Sequence, residues 1–387
     1  MTISTHMHHQ RSVRRGLTII EALTATGTIT AGAAVLAMSC GAGFGPRHRF
    51  QSTFNLMTLD AAHHAYAMDH EGRQWSPAPD DMDECDGNVS CYTSQIGCID
   101  SLLFGEDEQG NLWGWWTGGP LCDTVPGSPG YWQAVFDFAM SPYQLGDVSL
   151  TQEIVGSRVN YNTRGFRDYV SGHTYDPVFF QPGTIDSRLA AGIFDESIEF
   201  PGVEHPRFPV GSQTLLATGY SISASAMWGI DVHRSASAGG WQDPRSTSGG
   251  YAAPTVDLCL HPDLKTRMIE RWWIDGAPSR IHPATRAPVN GDVQMVRPGQ
   301  HWMFNHAHEA RPVALFFDGS IQAVRTGDAF DDDLAQQRAT GDGLWSRDTP
   351  FGSEGQQGSI SQDRPTSFHV LTTDGIRGRD FLSRRDG

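Results

Sequence analysis

The sequence has little of what marks the commonest enzyme classes. No Gly-x-Ser-x-Gly elbow, phosphate-binding glycine loop or dinucleotide fingerprint occurs in its 387 residues, so hydrolysis has no candidate triad and nucleotides have no candidate cradle. Positive charge is scarce too. The 28 Lys and Arg stand against 44 Asp and Glu, and a net charge of -16 argues against a groove that must neutralise nucleic-acid phosphates. Internal repeats and heptads are missing, which argues against solenoids and coiled coils. What remains is a chain long enough to bury an ample core without help from a metal, with an acidic soluble face.

Cysteines number only six, but four of them (Cys85, Cys91, Cys98 and Cys122) crowd into one Gly- and Asp-rich stretch. Gaps of five, six and twenty-three residues lack the paired short knuckles of common zinc sites, so disulfides in an oxidising compartment are the better reading. Four cysteines allow three pairings, among which spacing does not choose. Cys259 is either a free buried thiol or a partner for one of the four, and Cys40 lies in the apolar N-terminal run.

The N-terminus carries the sharpest pattern. Residues 1–15 are polar and basic, with Arg11, Arg14 and Arg15, and the run 16–46 then holds a single acid, Glu21. A spanning helix needs roughly 20 apolar residues, which residues 22–38 and their flanks supply, although Thr, Ala and Gly make the run only mildly apolar. Its arginines would stay cytoplasmic. An acid inside such a segment costs about 2.5 to 3.5 kcal/mol and so asks for a partner. A twin-arginine signal at Arg14-Arg15 and a lipoprotein signal ending at Cys40 are rival readings, and neither accounts for Glu21.

The string Arg14-Arg15-Gly16-Leu17-Thr18-Ile19-Ile20-Glu21 resembles the cleavage and methylation motif of type IV prepilins and type II secretion pseudopilins. The resemblance implies that a prepilin peptidase cuts after Gly16, that Leu17 becomes a methylated N-terminus, and that Glu21 meets a neighbouring subunit's terminal amine. Such a charge partner would offset the cost of burying Glu21. Leu17 stands where Phe is commoner in the family, and the following segment is richer in Thr and Gly than the family's.

Beyond Gly41, Gly43, Gly45 and Pro46, a second helical pattern starts near Arg47, with Phe50, Phe54, Met57, Ala61, Ala65 and Met68 as its apolar face. Residues 47–51, Asn55-Leu56, Leu59, Tyr66-Ala67, Asp69 and Gly72-Arg73 in the same stretch resemble the segment after the membrane helix in a prepilin-like family rich in planctomycete-type bacteria. From Gln74 onward, short strand-like pieces alternate with Gly, Pro, Asp and Ser, which predicts a β-rich domain with long loops. Its best-defined element is a hairpin. Apolar residues 312–317 and 320–324 flank Asp318-Gly319, predicting a two-residue type I′ turn with positive φ at both positions. Nine residues separate His308 from Asp318-Gly319, the spacing that names the processing-associated proteins of that family, and Leu371-Thr372-Thr373-Asp374-Gly375-Ile376-Arg377-Gly378-Arg379-Asp380 resembles its C-terminal tail. A turn with an ordering histidine accounts for the same residues without any chemistry.

His301, His306, His308 and Glu309 are the densest metal-ligand cluster, but their registers do not fit the paired motifs of a cupin barrel, so no metal and no cofactor is expected. Trp113, Trp115 and Trp116, or Trp272 and Trp273, could stack on sugar rings if exposed and fill a core if not.

The expectation is therefore an α+β protein without enzymatic activity. It has a basic leader (1–16), a membrane helix (17–40), a breaker and amphipathic helix (41–72) and an extracytoplasmic β-rich, pilin-like domain (73–387) with a Cys-rich insertion at about 80–125. A single-pass inner-membrane anchor would hold that domain in the periplasm or at the cell surface. Its expected partners are a prepilin peptidase, other pilin-like subunits and the membrane, with no nucleic acid. The alternative is a surface-displayed module that binds glycans or other polymers and uses the pilin-like segment only as an anchor.

Overall fold

The structure, a computed structural model, describes residues 44–77, 103–106, 112–114, 157–204, 213–244, 246–273, 302–304, 310–349 and 367–384. The chain divides into Met1–Arg47 and His48–Gly387, and of the first unit only its last four residues are described. The second is mixed helix and antiparallel sheet, the α+β class expected.

A 26-residue helix, α1 (Phe44–Asp69), opens the described chain with Pro46 in its first turn, where no intrahelical N–H is required. The hairpin β1 (Leu103–Glu106) with β2 (Leu112–Gly114) follows, then short helices α2 (Arg164–Arg167) and α3 (Ile185–Ala190). Thr184 caps α3 by accepting from the Ser187 N–H. Strands β3 (Val203–Glu204) and β4 (Gln213–Thr214) pair with each other, as do β7 (Trp272–Trp273) and β8 (Trp302–Met303). The central sheet contains β5 (Tyr220–Ile222), β6 (Thr266–Glu270), β9 (Val313–Phe316) and β10 (Ile321–Ala323), in the order β10-β9-β6-β5 and antiparallel throughout. A 15-residue helix, α4 (Thr326–Thr340), leaves the end of β10 and stops at Gly341, whose φ of 88° is the left-handed turn that glycine permits.

Both faces of this sheet are covered. One side packs Tyr220, Ile222, Met268, Val313 and Leu315 against Leu56, Leu59 and Tyr66 of α1 and against Tyr161 and Phe179. The other packs Ile269, Ala314 and Phe316 against Trp345, Phe368 and Leu371. Burial on both faces is why 312–317 reads as an unbroken apolar run and not as alternation.

Two sequence expectations are corrected. α1 does pack on the domain, but not through its periodic apolar residues: Phe54, Met57 and Met68 are 37, 42 and 80 % exposed. The buried row is Ser52, Asn55, Leu56, Leu59, Ala62, His63, Tyr66 and Ala67. The physical reason is that this row carries its own apolar set, Leu56, Leu59, Ala62 and Tyr66, which joins the core, while its polar members find partners across the interface. Ser52 bonds Glu270 and lies 3.0 Å from the Tyr220 hydroxyl, Asn55 Nδ2 donates to that hydroxyl at 3.1 Å, and Asp60 pairs with the buried Arg267 at 3.2 Å. Asn55, Leu56, Leu59, Tyr66 and Ala67, singled out above by resemblance, all lie in that row.

The hairpin is present with Ile321 opposite Leu315, but its turn is longer than expected. Phe316 N–H donates to the Ser320 carbonyl and Gly319 N–H to the Phe316 carbonyl, which makes a three-residue loop of Phe317, Asp318 and Gly319. Only Gly319 has positive φ, at 80°. This is a type I turn closed by a glycine bulge. Asp318 Oδ1 accepts from the Ser320 N–H at 2.9 Å, which favours this geometry over the two-residue turn.

Candidate functional site

The hairpin turn and the C-terminal tail, far apart in sequence, meet in space. Asp318 receives Arg384 at 3.5 Å, and its N–H donates to the Pro262 carbonyl just before β6. Beneath this surface lies a buried ionic centre. Lys265, the only lysine among the chain's 28 Lys and Arg, and Asp380 are both fully buried and 3.2 Å apart.

The centre leaves no bonding capacity of either charge unused. Lys265 Nζ donates to Ser223 Oγ at 2.7 Å, to Thr372 Oγ1 at 2.6 Å and to Asp380. Asp380 Oδ1 accepts from the His369 N–H at 2.9 Å and from the Thr372 hydroxyl at 2.6 Å. Its Oδ2 accepts from the Thr266 N–H at 2.9 Å and from the Thr266 hydroxyl. Burial would raise the carboxyl's pKa, but Lys265 first, then His369 and the hydroxyl donors, hold it below the usual range. His369 takes φ of 68°, with its ring 2.8 Å from Thr266 Oγ1 and 3.0 Å from the Ser221 carbonyl. Tail residues Asp374 and Gly375 also take positive φ, and a Cβ at Gly378 would sit 1.9 Å from the Thr373 carbonyl. The tail is thus a tight, backbone-dictated knot pinned by Asp380, a structural role for the residues that carry the resemblance.

A cavity of about 230 Å³ opens beside this knot. Leu264, Phe316, Val324 and Phe381 form its apolar floor, and Arg49, Arg311, Arg325 and Arg384 stand around it with Asp263 and Asp328. Sequence reasoning missed both features. The one available sign of the first was that Lys265 is the chain's single lysine, which marks the position but not its burial or its partner. Nothing in the sequence foretold the second, because its arginines come from four separate segments.

Other residues singled out by sequence fall as follows. Gly16, Leu17, Glu21, Cys40, Cys85, Cys91, Cys98, Cys122, His301, His306, His308, Glu309, Trp115 and Trp116 lie outside the described residues. Trp272 is a core residue with the Arg271 guanidinium 5.3 Å over its ring, and Trp273 is half-buried. Cys259 is a half-buried free thiol, its pKa pushed up to about 11 by burial. Among the described residues no group of three or more His, Cys, Asp or Glu is placed to hold a metal ion.

The chain matches no family model, no curated protein and no solved structure. Its function must therefore be argued from its own residues.

Proposed function

We propose that the chain is a pilin-like, non-enzymatic surface protein, cut between Gly16 and Leu17 by a prepilin peptidase, anchored by residues 17–40, and handled by a type II secretion or type IV pilus machine. The observation that carries this reading is the string Arg14 to Glu21, in which a basic leader ends at a residue without a side chain and an acid becomes the fifth residue of the mature chain. That segment lies outside the described residues, and among those described no helix is long and apolar enough to cross a membrane.

Two features of the fold support it. A long helix at the N-terminal side lies on an antiparallel sheet, and it turns Phe54, Met57 and Met68 outward, a stripe that a neighbouring subunit would cover. Export would also place Cys85, Cys91, Cys98 and Cys122 where thiols oxidise, so they pair as disulfides; non-reducing peptide mapping that returned all four as free thiols would remove this part.

N-terminal sequencing of the protein from membranes decides the main claim. A methylated Leu17 start is expected. A lipid-modified start at Cys40, or a start beyond the whole apolar run, would refute it.

A further inference from the structure

Among the described residues, the central sheet ends at one side on an edge with no further strand. β10 pairs with β9 and, among the described residues, with no strand on its other side. Residues 320, 322 and 324 turn their backbone groups toward β9: the Ser320 carbonyl accepts from Phe316 N–H at 2.9 Å, Val324 N–H donates to the Pro312 carbonyl at 2.9 Å, and Gln322 stands opposite Ala314. Ile321 and Ala323 alternate with them and so turn their N–H and C=O groups away from the sheet.

The arginine-rimmed cavity lies against this edge. Gln322, Ala323 and Val324 all line it in succession, whereas a cavity over one face of a strand would meet only alternate residues. The charge around it is opposite to that of the chain. Arg325 lies 3.9 Å from Asp328 and Arg384 lies 3.5 Å from Asp318, while exposed Arg311 has no carboxylate partner among the described residues. α4 begins here without a side-chain cap, adding the positive end of its dipole.

We propose that β10 is a strand-addition site for an extended acidic segment of another protein. The segment pairs its backbone with Ile321 and Ala323 and directs carboxylates on one face toward Arg311, Arg325 and Arg384, with apolar residues toward Phe316 and Val324. A small carboxylate would satisfy the arginines but leave the outward backbone groups unmatched, so an extended chain fits better than a free acid.

The test uses the full chain and a labelled peptide of three Val-Asp repeats, with three controls: a Val-Lys peptide of equal length, a Val-Asp peptide N-methylated at alternate amides, and N-acetyl-aspartate. The Val-Asp peptide is expected to bind more weakly as salt rises, and the Val-Lys peptide not to bind. Ala323→Pro removes an N–H that the β9 ladder does not use, and should weaken binding about tenfold, the loss of roughly one backbone hydrogen bond. Arg311→Ala combined with Arg384→Ala should weaken it as much and flatten the salt dependence. N-methylation asks the same question with the protein unaltered, so a misfolded proline variant would not spoil the test. Equal binding of the methylated peptide, N-acetyl-aspartate binding as tightly as the Val-Asp peptide, or no peptide binding overturns the proposal. So does a dimer of this chain that Ala323→Pro dissociates while the peptide stays unbound, since a second copy would then occupy the edge.

Discussion

Replacing Asp380 by Asn tests the ionic centre most directly. Each carboxylate oxygen faces only donors: His369 N–H, the Thr372 hydroxyl and Lys265 on one side, and Thr266 N–H, the Thr266 hydroxyl and Lys265 on the other. Whichever way the amide turns, its NH2 must confront donors, and Lys265 keeps its charge with no counter-ion at zero exposure. Breaking one half of a buried pair costs about 3–5 kcal/mol, and nothing here is exposed enough to be screened by solvent. That is a large part of the total stability of a domain. Urea titration should therefore show a sharp fall in midpoint, or no cooperative folding. Lys265→Met added to Asp380→Asn removes the stranded charge, so the double variant should be less damaged than the sum of the singles by roughly 1–3 kcal/mol. A single variant within about 1 kcal/mol of the parent, or additive losses, would show that the pair does not hold the tail.

Acid should destabilise the protein through its buried histidines. Burial first, then Lys265, takes His233 from the ordinary 6.5 down to about 3, and His63, whose ring nitrogens lack hydrogen-bond partners among the described residues, is lowered well below the ordinary value by burial and Arg267. A depressed histidine pKa means that the unfolded chain takes up the proton first, so stability is lost as pH falls below about 6.5. His233 alone should cost about 2 kcal/mol by about pH 5. Urea midpoints that do not change between neutral pH and that value would refute this. Gly319→Val should cost about 1–3 kcal/mol by forcing a β-branched residue to positive φ, since an added Cβ meets only Asp60 Oδ2, at 3.5 Å. Gly319→Asn should cost less, and equal melting temperatures for both variants would place the strain elsewhere.

By itself the sequence determined the α+β class, the existence of α1 and the C-terminal hairpin. These follow from local chemistry: helical spacing, glycine punctuation, and an apolar run meeting Asp-Gly. What it could not determine is anything that depends on a partner distant in the chain. β6, a central strand, reads Thr-Arg-Met-Ile-Glu and carries no strand signature, because Arg267 and Glu270 can be buried only when Asp60 and Ser52 of α1 arrive to meet them. Lys265 is buried only because Asp380 reaches it from 115 residues away. The same principle chose the buried side of α1. Hydrophobic periodicity pointed to Phe54, Met57 and Met68, but a helix face packs where the opposing surface offers matching groups. The sheet offered an apolar surface for Leu56, Leu59 and Tyr66 and partners for Ser52, Asn55 and Asp60 in Tyr220, Glu270 and Arg267, so that mixed face went in and the stripe of Phe54, Met57 and Met68 stayed out.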